Sequence, residues 1–475
     1  MTDDMSNERT PQRLSSAAVA IVVAAGFTSL FATYWDDAWH TDIGRDDALI
    51  PPHLLLYGAV AVVGLAVAGW GLLALWRTRS LIAVLRQPPL LIAAVGGVAT
   101  LASAPVDALW HEAFGRDSVL WSPSHMLTVF STLALIGGVL AGMRPDSPRP
   151  LWWAGGALLL GSAVTPVMEF ETGVPQFSEV LYFPVLLVSS MYAAVLLRQL
   201  TSRRYLVVGA VGVYVLARLV ITGLLLALGR TSPDLPLAVV GLAVIDLPWR
   251  RPVTAYAAGA AGAAVTSYLS SVLGVSSVGP DAVLVPALVA AVLGAVVTLG
   301  ERRIRGAIAV VALLLPFGLT VLDPQPASAH DPGQGQVVAT AVLTGTSDGS
   351  GRMTLTVEGC AGMTPLRVVA RRAGAEIAGP LSSTPGGCRG QVRIDQEGLW
   401  FLYAEMRYRG GVVEAWLPID RKVVRQKRDI YLPAGQAVVT GGQIAAGIGL
   451  YVAGLIMLSL TLYLAGRSRA SFARG

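Results

Sequence analysis

Long uninterrupted apolar runs limit this chain's fold more than anything else in its sequence. A helix needs about 20 apolar residues to cross the hydrocarbon core of a bilayer. About twelve such runs can be counted, centred near residues 24, 64, 98, 133, 160, 190, 216, 241, 263, 290, 314 and 455. The run at 235–249 is the shortest. In lipid each run is expected to be helical, because only a helix satisfies its own backbone polar groups. Charged residues make up 14% of the chain, against about 25% in soluble domains, so a soluble multidomain protein is excluded. No glycine-rich phosphate loop, Ser/His/Asp arrangement or nucleic-acid module is present, and no nucleic-acid partner is expected.

The loops alternate in charge. Arg77, Arg79 and Arg86 follow the second run, Arg144 and Arg149 the fourth, and Arg198, Arg203 and Arg204 the sixth. Arg250 and Arg251 follow the eighth, Arg302, Arg303 and Arg305 the tenth, and Arg467, Arg469 and Arg474 the last. The intervening loops are acidic or nearly neutral. The positive-inside rule then predicts a multi-pass cell-membrane protein with both termini in the cytoplasm. The first run lacks a small-residue cleavage site and reads as an anchor. The expected organisation is a cytoplasmic tail (1–14), a four-helix region (15–145), further membrane helices (146–326), an extracytoplasmic domain (330–437), and a last helix with a cytoplasmic tail (438–475).

The extracytoplasmic block alternates polar and apolar residues at 336–343, 352–357, 366–371 and 399–407, which predicts short strands. Gly and Pro clusters at 347–351 and 384–387 predict turns. The expected fold is therefore an all-α membrane bundle with a β-sandwich inserted before the last helix. The chain has two cysteines, Cys360 and Cys388. Both fall in this block, where an oxidising compartment favours a disulfide.

There are only five histidines, and four of them sit in two copies of one pattern. The first copy is Asp36-Asp37-Ala38-Trp39-His40, then Gly44-Arg45-Asp46, then Pro51-Pro52-His53-Leu54. The second is Asp107-Ala108-Leu109-Trp110-His111, then Gly115-Arg116-Asp117, then Pro123-Ser124-His125-Met126-Leu127. Asp36 and His40 are four apart and share a helix face, and His53 opens the next helix behind prolines suited to a helix start. A short hairpin brings these ends together, and Asp107, His111 and His125 repeat the arrangement. Two imidazoles and a carboxylate with open positions suit a divalent first-row metal: copper first in an oxidising compartment, then zinc or iron. Arg45 with Asp46, and Arg116 with Asp117, are candidate pairs that orient the ligands. Three other readings stand beside this one. Trp and His are common interfacial anchors, a repeated hairpin can serve packing alone, and two histidines can ligate haem.

These motifs resemble the C subunit of the membrane-bound copper monooxygenases, the methane and ammonia monooxygenase family, over roughly residues 30–130. That subunit carries Asp-x3-His with a second His thirteen residues on, the spacing of Asp36, His40 and His53. Its second trio is Asn-x3-His with a His fourteen residues on, the spacing of Asp107, His111 and His125, with Asp in place of Asn. The resemblance implies two neighbouring copper sites, dioxygen activation, a small apolar substrate, and partner subunits or a copper donor. A copper carrier or homeostasis protein without catalysis is the alternative, and a structural subunit with vestigial sites a third.

His330 follows Ala327-Ser328-Ala329, the layout of a secretory cleavage site. A leading His there resembles the copper-binding amino terminus of the monooxygenase B subunit and of CopC-type copper carriers. A linker histidine is the other reading. Arg218 and Asp246 lie within apolar runs, where charges are costly and usually paired; they are candidates to pair with each other or to line a polar path. Glu169, Glu171 and Glu179 cluster in one loop, either drawing cations or simply solvated. The small-residue stretch 255–265 permits close helix packing.

Overall fold

A computed structural model describes residues 13–43, 49–114, 120–175, 177–299, 335–372, 375–395, 398–419, 423–433 and 441–472. Twelve α-helices are present among the described residues. They are α1 (Ser16–Asp42), α2 (Pro51–Thr78), α3 (Leu81–Leu85), α4 (Pro88–Phe114), α5 (Pro123–Ala141), α6 (Arg149–Val164) and α7 (Met168–Glu171). The others are α8 (Tyr182–Leu200), α9 (Leu206–Ala227), α10 (Pro252–Val272), α11 (Pro280–Leu299) and α12 (Gly441–Phe472).

Eight helical segments among the described residues are long and apolar enough to cross a membrane, not twelve. They correspond to the runs near 24, 64, 98, 133, 160, 190, 216 and 455. The run near 241 instead forms a ten-residue 3₁₀ helix, Leu237–Asp246. Its backbone packs on α10: a methyl group on Gly262 would lie 2.4 Å from the Gly241 carbonyl oxygen. The small residues at 255–265 allow that approach, and α10 is not among the segments apolar enough to span a membrane. The run near 314 lies outside the described residues.

The membrane helices are joined by small residues and hydroxyls. Gly138 abuts the backbone of Ala93, and Gly96 that of Leu135, so α4 and α5 lie in close contact. Thr100 donates to Ser131 at 3.0 Å and Thr128 to Ser103 at 2.8 Å across the same pair. The last helix returns to this pair. Gly447 of α12 sits against Pro123 and Trp110, and the Tyr451 hydroxyl donates to the Trp121 carbonyl at 2.6 Å.

The charged residues inside the bundle do not pair as the sequence reading considered. Arg218 is fully buried and bonds Glu171 at 2.7 Å, Tyr34 at 2.8 Å, Tyr214 at 2.9 Å and the Asp234 carbonyl at 2.8 Å. Asp246 pairs with Arg198 at 3.2 Å and accepts from the Val208 N–H near the start of α9 at 2.9 Å. Glu169 and Glu171 are buried as well, so their loop is not a solvated acidic surface. Glu169 accepts from the Leu120 N–H at 2.9 Å.

The second unit is a closed antiparallel barrel, and this corrects the expected sandwich. Its strands are β1 (Gly335–Ser347), β2 (Arg352–Glu358), β3 (Thr364–Arg372), β4 (Ala375–Thr384), β5 (Gly387–Arg393), β6 (Trp400–Tyr408), β7 (Gly411–Ile419) and β8 (Val424–Pro433). The hydrogen-bonded order is β1-β2-β5-β4-β3-β6-β7-β8, and β8 closes on β1 from Gly335↔Pro433 to Gly345↔Val424. The thirteen residues of β1 pair with β2 at one end and with β8 along most of their length. Alternation of apolar residues is common to sandwich and barrel, so the pattern alone does not separate them. Leu343, Leu355, Val357, Trp400, Leu402 and Leu417 fill the interior. Cys360 and Cys388 form a disulfide joining the turn after β2 to β5.

The barrel rests on the bundle. Val174 enters an apolar cluster of Val369, Phe401, Tyr403 and Trp416. Gly173 (φ +76°) turns the chain into that contact, and Glu179 pairs with Arg372 at 2.7 Å.

Removing one partner of a buried ion pair costs about 3–5 kcal/mol, whereas replacing both by apolar groups is often neutral. Arg218→Met and Glu171→Met are each expected to lower the thermal midpoint of the detergent-solubilised protein, and the double variant to regain most of the loss. Fluorescence-monitored melting checks this; additive losses contradict it. A second test concerns Asp234, which accepts from the Ser277 hydroxyl at 2.9 Å and from its backbone N–H. Burial pushes its carboxyl up to about 7. The folded state therefore favours the protonated form, and its contribution, full below the ordinary carboxylate range, is lost as pH rises through about 7. Asp234→Asn should melt most like wild type at or below about pH 4, and its advantage over wild type should grow with pH until about pH 7.

Candidate metal centre

The last turn of α1 and the first turn of α2 build the first cluster. The N–H of Ile43, which closes α1, bonds the Trp39 carbonyl at 2.8 Å. Pro51 and Pro52 open α2 and set His53 in its first turn. Asp36 Oδ1 then stands 3.5 Å from His40 Nε2 and 3.1 Å from His53 Nε2. The two imidazole rings are 6.3 Å apart and tilted by 51°. All three residues are half-buried, and one ligand atom from each lies within 4.8 Å of the others.

The donor set fits a metal ion. Ligands about 2.1 Å from one ion stand roughly 3.0–3.4 Å apart, close to the two Asp36 distances. Neither contact has hydrogen-bond geometry: Asp36 Oδ1 is buried with no hydrogen-bond partner among the described residues. The buried Nδ1 of His40 has none either, which leaves both of its ring nitrogens available. A buried acceptor without a donor is costly, and a cation bound between the three side chains removes that cost. The N-terminal end of α2 adds a positive helix dipole beside the carboxylate.

The second cluster is described in part. His111 is placed on α4, one turn after Asp107, but its side chain lies outside the described residues. Asp107 Oδ1 is 3.2 Å from His125 Nε2 and accepts from the Ser124 hydroxyl at 2.6 Å. Ser122 caps α5 by accepting from the His125 N–H at 3.3 Å. His125 is also within electrostatic reach of Asp36, so the two clusters belong to one end of the bundle. Arg45, Asp46, Arg116, Asp117 and His330 lie outside the described residues.

Sequence reasoning missed two residues that position this end. Ser124 holds Asp107, and the signal was one of the differences between the copies, Pro-Ser-His against Pro-Pro-His. Tyr34 bonds Arg218 and thereby fixes α1 two residues before Asp36; a lone tyrosine in an apolar run gives no such signal.

Comparison of the chain with protein-family models, with curated proteins and with solved structures finds no match. The clusters therefore stand on their own chemistry.

Asp36→Asn and His53→Ala should each weaken binding of a divalent ion at least about 10-fold, the lower bound for losing even an outer supporting contact. Ser124→Ala, which removes a hydroxyl bonded to Asp107 and Ser122, should leave the affinity of the first cluster unchanged. Titration calorimetry on the purified full chain reads both.

Proposed function

We propose that this chain is a copper-binding integral membrane protein whose first centre is Asp36, His40 and His53, with Asp107, His111 and His125 as a second. The observation that carries this reading is the buried, unpartnered Asp36 Oδ1 at ligand spacing from two imidazoles. Imidazole and carboxylate donors suit copper, with zinc or iron as weaker fits. The Cys360–Cys388 disulfide supports an oxidising compartment at the barrel end. The arginine-rich loops support the same orientation, with both termini cytoplasmic.

Three protein donors leave coordination positions open, as binding of a further small molecule requires. On this reading the chain resembles the copper monooxygenase C subunit in chemistry as well as in spacing. Bound copper would supply dioxygen activation for oxidation of a small apolar substrate reaching the site through lipid. The protein's own part is to hold the two imidazoles and one carboxylate at fixed spacing and to bury the carboxylate.

Metal analysis and copper EPR on wild type, His40→Ala and His111→Ala test the proposal. Wild type should retain the most copper, and each variant should lose one EPR-distinct population. Equal copper in all three contradicts it. Reductant-dependent oxygen uptake by the copper-loaded protein with short alkanes separates catalysis from carriage.

A further inference from the structure

Arg428 of β8 lies where the barrel meets the end of α1, and it is 8% exposed. Its Nη1 donates to the carbonyl of Ile43. Its guanidinium carbon is 4.3 Å from the centre of the Trp416 ring. Those two contacts fix the position of the group. The remaining donors, Nε and Nη2, are buried and have no partner among the described residues.

Two other buried arginines also keep an unpartnered Nε, but each has a carboxylate: Arg218 has Glu171 at 2.7 Å and Arg372 has Glu179 at 2.7 Å, while half-buried Arg371 has Glu405 at 2.9 Å. Asp42 is near enough to Arg428 to interact through charge. Its two oxygens, however, accept from the Thr231 N–H at 2.8 Å and hydroxyl at 2.6 Å. No described carboxylate is within ion-pair distance of Arg428.

Nε–H and Nη2–H form one edge of the guanidinium, with two parallel donors spaced for two oxygens of a carboxylate or phosphate. A buried charge with its paired edge unsatisfied is costly, and a planar or tetrahedral oxyanion is the ligand that edge matches. The geometry points to an oxyanion-binding site at the seam between barrel and bundle, with Arg428 as its bidentate donor and Trp416 as the platform for the guanidinium. Ile43 is three residues beyond His40, so the bound anion lies beside the first metal cluster. The proposal does not depend on metal binding there. The same chemistry is met by a free oxyanion or by the phosphate of a lipid headgroup.

The test uses the full chain in detergent, without added metal. Native mass spectrometry shows whether one phospholipid is retained per chain. After delipidation, calorimetry at constant ionic strength titrates inorganic phosphate against chloride. Wild type should retain one phospholipid, bind one phosphate, or do both; retention without phosphate binding assigns the headgroup, and phosphate binding to lipid-free protein assigns the free anion. Arg428→Lys keeps the charge but loses the parallel donors, and should weaken binding at least tenfold. Arg393→Lys, at an exposed arginine of β5 that pairs with Asp395, should bind like wild type and serves as the control, together with the melting curve of Arg428→Lys. The proposal is overturned if wild type binds neither species, or if Arg428→Lys binds as wild type does.

Discussion

The buried ion pair between Arg218 and Glu171 is the interaction on which the arrangement of this bundle rests. A guanidinium in a low-dielectric interior is tolerated when its charge is paired. Here both terminal nitrogens are bonded, from three directions: the carboxylate that ends α7, the Tyr34 hydroxyl of α1, and the carbonyl of Asp234 beyond α9. The pair therefore fixes the rotation of α1 about its axis. Asp36 follows Tyr34 by two residues and His40 by six, so the face that α1 turns toward α2 is set by a contact outside the metal cluster.

From that constraint the candidate centre follows by short steps. Two helix ends are brought together, two prolines start the second helix, and three donors meet around a carboxylate oxygen that has no hydrogen bond. The barrel and the last helix then hold the same end of the bundle from two sides. Barrel residues contact the end of α1 and the loop after α7, while α12 packs on α4 and α5 beside His125.

Much of this was legible in the sequence because its causes are local. Apolar length marked all eight segments apolar enough to span, but within a count of about twelve runs, and the i, i+4 spacing with Pro-x-His marked the first cluster. The Cys360–Cys388 pair was legible from compartment and count. What was not legible depends on partners distant in the chain. Arg218 was visible as a buried charge, but Glu171 lay in a loop that reads as solvated until its burial is known. The barrel reads like a sandwich because alternation is common to both, while closure comes from the pairing of β1 with β8, the first and last strands, far apart in the chain. The run near 241 was read as a span by its apolarity. Its ten residues form a tight 3₁₀ helix, which rises about 2.0 Å per residue and covers about 20 Å in all. Arg428 gave no sequence signal at all, since its role is set by Ile43 and Trp416 far away in the chain.

The most direct measurement is an anomalous difference map from crystals of the copper-loaded protein, collected on both sides of the copper edge. The account predicts a peak between Asp36 Oδ1 and the imidazoles of His40 and His53, within about 2.2 Å of each donor. Copper bound elsewhere with that cluster empty, or no ordered copper at full loading, would contradict it.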